Sequence, residues 1–217
     1  MKEKKTKVVF EADGRKVTAQ PGISVLQACL ENGIYIPNLC WLEGMSKPPA
    51  SCRLCFVQVE GRKRPQTSCT LEVAEGIVVR TDSEEVRELQ QTALDMFLSV
   101  HHLNCKECPA NKKCELQKIA KFLQRGLKPQ NLPDLGSEKE VNATHPCLIY
   151  DPNRCVLCGR CVYVCAQKSQ VQILDFAYRG LRTTVSFWGA GDPEAKNCIS
   201  CLSCVQTCPV SALTCKA

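Results

Sequence analysis

The 217-residue chain has no apolar run long enough to cross a bilayer, so direct membrane insertion is not expected. Its opening residues, Met1-Lys2-Glu3-Lys4-Lys5, are charged, and only Val8, Val9 and Phe10 follow before charge resumes. No export signal is expected there, so a reducing, cytoplasmic location is expected, where cysteine binds metal more readily than it builds a disulfide framework. Aromatic residues are scarce, at 6 %. That argues against one large apolar interior and for small cores built around inorganic groups. No Gly-x-Gly-x-x-Gly follows a strand, which removes the sequence case for a dinucleotide site. Nor does any nucleophile–base set or carboxylate pair stand out, and no catalytic residue is assigned.

What the chain has instead is cysteine, 18 residues of it. Fifteen of them fall into four runs. Cys155, Cys158, Cys161 and Cys165 read C-x2-C-x2-C-x3-C, and Cys198, Cys201, Cys204 and Cys208 repeat that spacing, followed by Pro209. This is the bacterial two-cluster ferredoxin pattern, in which the fourth cysteine of each run ligates the cluster of the other. The expected [4Fe–4S] sets are therefore Cys155, Cys158, Cys161 and Cys208, and Cys165, Cys198, Cys201 and Cys204. Cys165 is followed by Ala166 where the pattern has proline, a turn aid and not a ligand.

Upstream, Cys40, Cys52, Cys55 and Cys69 suit a two-iron cluster, with a tight C-x2-C turn that aims backbone N–H groups at sulfur. The first gap is wider than the plant-type C-x4-C-x2-C. Zinc held by four cysteines is the alternative, and it usually offers two C-x2-C pairs where this run has one. The fourth run is Cys105, Cys108 and Cys114. Three thiolates do not complete a cubane, and His101 and His102 both stand near enough to add a ligand. On spacing alone, zinc with three cysteines and one histidine fits this run as well as a cluster does. Cys29 lies in a helical apolar pattern and reads as a small buried hydrophobe. Cys147 and Cys215 receive no role.

The formal charge of +6 would suggest nucleic acid, but oxidised clusters with these ligands would contribute roughly −7, leaving a holoprotein near neutral. Nucleic-acid binding is not expected.

Three segments are expected in an α+β fold: 1–82, 83–138 and 139–217. In the first, Lys7–Glu11 and Val17–Gln20 alternate like strands about an Asp13-Gly14 turn. Ile23–Glu31 has helical spacing, and Leu54–Glu60 and Ile77–Arg80 read as further strands. In the second, Asp82 or Ser83 caps a long amphipathic helix to about Val100, and another helix follows Cys114. Lys128–Glu140, with Pro129, Pro133 and Gly136, is the linker candidate. In the third, Val171–Tyr178 and Leu181–Phe187 form a hairpin about Arg179-Gly180.

Taken in order, these runs resemble a known succession. The segment from His101 through Cys105, Cys108 and Cys114 to Gln117, together with Pro37-Asn38-Leu39-Cys40 and Ser51-Cys52-Arg53-Leu54-Cys55, is similar to three relatives. They are the diaphorase iron–sulfur subunit of NAD-reducing hydrogenases, the N-terminal region of the complex I large peripheral subunit, and the front half of [FeFe] hydrogenases. The resemblance covers nearly the whole chain. It implies a β-grasp [2Fe–2S] domain over 1–82, a small helical [4Fe–4S] domain with one histidine and three cysteine ligands over 83–138, and a two-[4Fe–4S] ferredoxin-type domain over 139–217. The family's histidine stands four before its first cysteine, which is His101, not His102. Histidine in place of thiolate removes about one negative charge and should raise that cluster's potential.

Only nine residues follow Cys208, so no hydrogenase H-cluster domain or long complex I C-terminal portion is expected. The implied function is an electron-relay subunit carrying one [2Fe–2S] and three [4Fe–4S] clusters. Its expected partners are a flavin- and NAD(P)H-handling iron–sulfur subunit and a second catalytic subunit acting on hydrogen, formate or a similar low-potential substrate. Electron bifurcation is compatible with the chain but not demanded by it. The alternatives are a free-standing multi-cluster carrier and an iron–sulfur or zinc-structured regulator, the last of which leaves four complete ligand sets unexplained.

Overall fold

The computed structural model describes residues 7–130, 132–136, 138–168, 172–188 and 198–216. They gather into two compact units: Met1–Leu94 with Lys121–Arg125, and Asp95–Ala120 with Gly126–Ala217.

The first unit is built on a five-stranded mixed sheet. Strands β1 (Val8–Ala12) and β2 (Arg15–Ala19) pair antiparallel, with Phe10 opposite Val17 and Ala12 opposite Arg15. Their turn is Asp13-Gly14, with φ of +50° and +74°. Two left-handed residues in a two-residue loop match the right-handed twist of the strands, and Asp and Gly are the residues that take this shape cheaply. The Asp13 carboxylate then accepts hydrogen bonds from the Thr81 N–H (2.7 Å) and hydroxyl (2.6 Å), fixing the turn to a distant segment.

Helix α1 (Val25–Glu31) starts at Ser24, whose Oγ accepts the Gln27 N–H at 3.2 Å, an N-cap. It stops at Asn32 and Gly33, the latter at φ +73°. Its buried face, Val25, Leu26, Ala28 and Cys29, joins Phe10, Val17, Val57 and Val79 in the core. Strands β3 (Phe56–Val59), β4 (Gln66–Thr67) and β5 (Val78–Arg80) complete the sheet in the order β2-β1-β5-β3-β4, with β5 parallel to β1. Helix α2 (Glu84–Leu98) is tied to the sheet where the Gln90 amide donates to the Phe56 carbonyl at 3.1 Å. The last residues of α3 (Glu115–Phe122) belong to this unit too, with Phe122 edge-on to Tyr35.

The second unit has little regular structure of its own. Strands β6 (Leu148–Tyr150) and β9 (Leu213–Cys215) pair antiparallel, joining the two ends of the segment that carries the repeated cysteine runs. Between them come helix α4 (Arg160–Lys168), a hairpin of β7 (Leu174–Ala177) and β8 (Thr184–Phe187), and short helices α5 (Cys198–Cys201) and α6 (Ser203–Thr207). The hairpin is shorter than the sequence suggests, with a 3-10 turn at Gly180–Arg182; Val171 lies outside the described residues.

The proline-bearing stretch 128–140 is bonded into this unit. Leu135 N–H donates to the Ser99 carbonyl at 2.6 Å, and Lys139 exchanges hydrogen bonds with the Asn153 side chain at 2.8 Å each. Proline and glycine deny it a helix or strand without denying it such tethers.

Candidate metal centres

In the first unit, Cys40 lies in the loop after α1, and Cys52 and Cys55 flank a turn in which Arg53 takes φ +55°. Cys69 follows β4. All four are buried, between 1 % and 3 % exposed. Their thiols form two hydrogen-bonded pairs. Cys52 donates to Cys40, which holds Cys40 below the usual thiol range, and the same bond together with burial pushes Cys52 up. Cys55 donates to Cys69 and is likewise raised by that bond and by burial. Four buried thiols in two adjoining pairs form a donor set that would suit iron or zinc. Cys29, in contrast, sits inside the apolar core, pushed up to about 12 chiefly by burial.

In the second unit, Cys105 opens a 3-10 turn, Cys108 ends it, and Cys114 sits immediately before α3. Burial raises Cys114, with smaller contributions from Cys108 and Cys105. His102 is exposed, whereas the half-buried His101 has an Nδ1 with no hydrogen-bond partner. Burial, aided by His102, lowers His101 to about 4, so its imidazole is neutral at physiological pH. A neutral ring with a free, water-shielded nitrogen has the form a metal ligand needs.

The paired runs line two separate cavities. The first is bounded by Cys155, Cys158, Cys161 and Cys208, with Tyr150, Val185 and Val210 among its walls. The second is bounded by Cys165, Cys198, Cys201 and Cys204, with Leu174 and Phe187. The structure thus brings the last cysteine of each run to the other run's first three. Helix α4 places Cys161 and Cys165 one turn apart, which lets one helix serve both cavities.

Backbone donors reach the sulfurs. The Leu157 N–H, turned inward at φ +50°, meets Cys155 Sγ at 3.4 Å, and the Ala212 N–H meets Cys208 Sγ at 3.2 Å. Burial raises Cys158 and Cys204 to about 12 each. Cys201 is the exception, lowered by the Ser203 hydroxyl and N–H. Among the described residues, no three His, Cys, Asp or Glu side chains are gathered closely enough to hold a single metal ion.

Three residues that sequence reasoning passed over also belong here. Tyr150 offers its hydroxyl to the Cys155 sulfur, Ser203 Oγ lies 3.4 Å from Cys201 Sγ, and the fully buried His145 packs 5.2 Å from the Phe187 ring. Their signal was thin: a tyrosine five before one cysteine run, a serine inside the other, and an isolated histidine. Cys147 Sγ lies 3.5 Å from His145 Nδ1, and Cys215 is exposed at the end of β9.

Comparisons with known proteins point to iron–sulfur proteins. The 2Fe-2S iron–sulfur cluster binding domain family matches residues 5–84, and the NADH-ubiquinone oxidoreductase-G iron–sulfur binding region matches residues 90–126. The solved NAD+-reducing [NiFe]-hydrogenase contains a chain that superposes with a TM-score of 0.83 at 32 % identity, covering 97 % of this chain and 88 % of that one. The chain belongs to the family of iron–sulfur subunits that NAD+-reducing hydrogenases share with NADH-quinone oxidoreductases.

Within this family it is 34 % identical over 209 residues to the NADPH-Fe(3+) oxidoreductase subunit alpha of Geobacter sulfurreducens, covering 96 % of this chain and 24 % of the relative. It is 31 % identical over 206 residues to the NADP-reducing hydrogenase subunit HndD of Solidesulfovibrio fructosivorans, covering 93 % and 35 %. The chain thus spans between 24 % and 35 % of the length of these curated relatives. As a family member it binds iron–sulfur clusters of both the [2Fe–2S] and the [4Fe–4S] kind. No helix among the described residues is long and apolar enough to cross a membrane.

Proposed function

We propose that this chain is an electron-relay subunit of a cytoplasmic NAD(P)-linked oxidoreductase complex, carrying one [2Fe–2S] and three [4Fe–4S] clusters. The observation that carries the reading is the pair of cavities, each ringed by four cysteines with the fourth exchanged between runs. Cys40, Cys52, Cys55 and Cys69 would hold the two-iron cluster in a β-grasp domain, residues 1–82. His101, Cys105, Cys108 and Cys114 would hold the first cubane, in 83–138. The two cavities of 139–217 would hold the others.

Bound there, the clusters supply one-electron carriers. The chain's own residues fix their separations, exclude water through walls such as Leu174 and Val210, and aim N–H donors at sulfur. Tunnelling falls exponentially with distance, so a series of such carriers links two active sites too far apart for one. The partners that fit are a flavin subunit that oxidises NAD(P)H and a hydrogenase-, formate dehydrogenase- or similar catalytic subunit.

Anaerobic native purification tests this. The expected result is about 14 irons per chain, together with a flavin subunit and a nickel, molybdenum or tungsten subunit. A chain that purifies alone with the same iron would instead be a free-standing carrier. A chain loaded with zinc would overturn both.

A further inference from the structure

Tyr150 is 2 % exposed and lines the cavity bounded by Cys155, Cys158, Cys161 and Cys208. Its backbone is held on both sides. It exchanges 2.8 Å hydrogen bonds with Asn142, and the next residue's N–H donates to the Ala212 carbonyl at 2.8 Å. Its phenol oxygen accepts the Val185 N–H at 3.2 Å and the Thr184 hydroxyl at 3.2 Å. A phenol has two acceptor positions and one proton. With both acceptor positions filled by β8, the proton is left to donate, and the sulfur of Cys155 receives it.

We infer that the Tyr150 hydroxyl is a potential-setting donor to Cys155, making the cluster held by Cys155, Cys158, Cys161 and Cys208 easier to reduce. This rests on the cluster assignment above. Reduction adds one electron, whose charge spreads onto the sulfurs, so a donor to sulfur stabilises the reduced state more than the oxidised one. The proton stays on the phenol oxygen throughout. Two donors on that oxygen polarise its O–H and strengthen what it gives to sulfur. Cys155 also receives the Leu157 N–H, so it carries both a backbone and a side-chain donor. Among the described residues the lining of the other cavity holds no phenol; there the Cys201 thiol and the Ser203 oxygen lie 3.4 Å apart, and the Ser203 hydroxyl donates to the Cys201 carbonyl.

The test is a redox titration of the holoprotein followed by EPR, comparing wild type with Tyr150→Phe, which keeps the ring and removes only the hydroxyl. The expected result is an unchanged iron content and a midpoint lowered for this cluster alone. The anticipated shift is about tenfold in the oxidised-to-reduced equilibrium, or about 59 mV for one electron. An unchanged midpoint, or an equal shift in every cubane, overturns the inference. Should Tyr150→Phe lose iron, Thr184→Val decides: it removes one donor to the phenol and keeps the side-chain shape. A smaller downward shift confined to the same cluster then supports the inference, and no shift overturns it. If wild type itself shows no cubane assignable to these four cysteines, it is the cluster assignment that fails.

Discussion

The two cysteine cavities of the second unit have the same ligand spacing and different surroundings. The cavity of Cys155, Cys158, Cys161 and Cys208 is walled by Tyr150, Val210 and Leu213, and burial pushes Cys158 up to about 12 and raises Cys155 and Cys161 as well. The cavity of Cys165, Cys198, Cys201 and Cys204 is walled by Leu174 and Phe187. There burial raises Cys198 to about 11, but Ser203 lowers Cys201. Spacing sets which cluster can bind; the walls set how readily each thiol ionises and how the bound cluster's charge is stabilised. A repeat in sequence need not therefore mean two equivalent carriers.

Removing the exchanged cysteines should separate the two cavities most. Cys208→Ala should cost about four irons, and Cys165→Ala another four from the other cavity. Double variants then show which cysteines share a cluster. Cys208→Ala with Cys158→Ala should lose no more iron than either alone, whereas Cys208→Ala with Cys201→Ala should lose about eight. The reverse pattern would mean that each run keeps its own fourth ligand.

A milder break leaves the ligands and opens a wall. Leu174 is 2 % exposed, and Leu174→Ala should destabilise the protein by about 2–5 kcal/mol. It should also speed air bleaching of the cluster at Cys165, Cys198, Cys201 and Cys204 and spare the other. Val210→Ala should invert that order at a smaller cost, since valine loses fewer carbons. Equal bleaching of both clusters in both variants would show that these walls do not act separately.

The parts legible in the sequence are those governed by local rules. Asp13-Gly14 announces its hairpin, the apolar spacing from Val25 announces α1, and the stripe through Val86, Leu94 and Leu98 announces α2. Cysteine spacing marks which thiols gather around the two cavities. What was not legible depends on residues distant in sequence. The pairing of β6 with β9 joins Leu148 to Cys215, and neither three-residue strand has enough alternation to show. β4 is two residues long. Helix α4 carries two cysteines, Cys161 and Cys165, on its buried face, so its apolar pattern is masked by the ligand pattern. Tyr150 and His145 gain their significance only when β8 is laid beside them.

Acid should separate the two cavities least, because among the described residues one cavity alone is backed by a buried histidine. His145 is fully buried, its Nδ1 accepts the Cys147 N–H at 3.2 Å, and its Nε2 has no partner. Its ring packs against Phe187, a wall of the Cys165 and Cys198 cavity. Burial, then the nearby Lys216 charge, lowers its pKa from the ordinary value of 6.5. The unfolded chain therefore binds a proton at a pH where the folded chain does not. Stability is unaffected well above about 6.5 and is lost as pH falls below that value towards the lowered folded pKa, by up to about 1.4 kcal/mol per pH unit. The melting temperature of the holoprotein should fall between about pH 7 and pH 5, a window above the ordinary range of Asp and Glu. His145→Asn keeps an acceptor for the Cys147 N–H and cannot charge, so it should make that slope shallower, leaving the part that the buried His101 contributes. In wild type the cluster at Cys165, Cys198, Cys201 and Cys204 should be released before its neighbour as the solution is acidified. Matching slopes in wild type and His145→Asn would mean that the histidine does not carry the acid sensitivity of this wall.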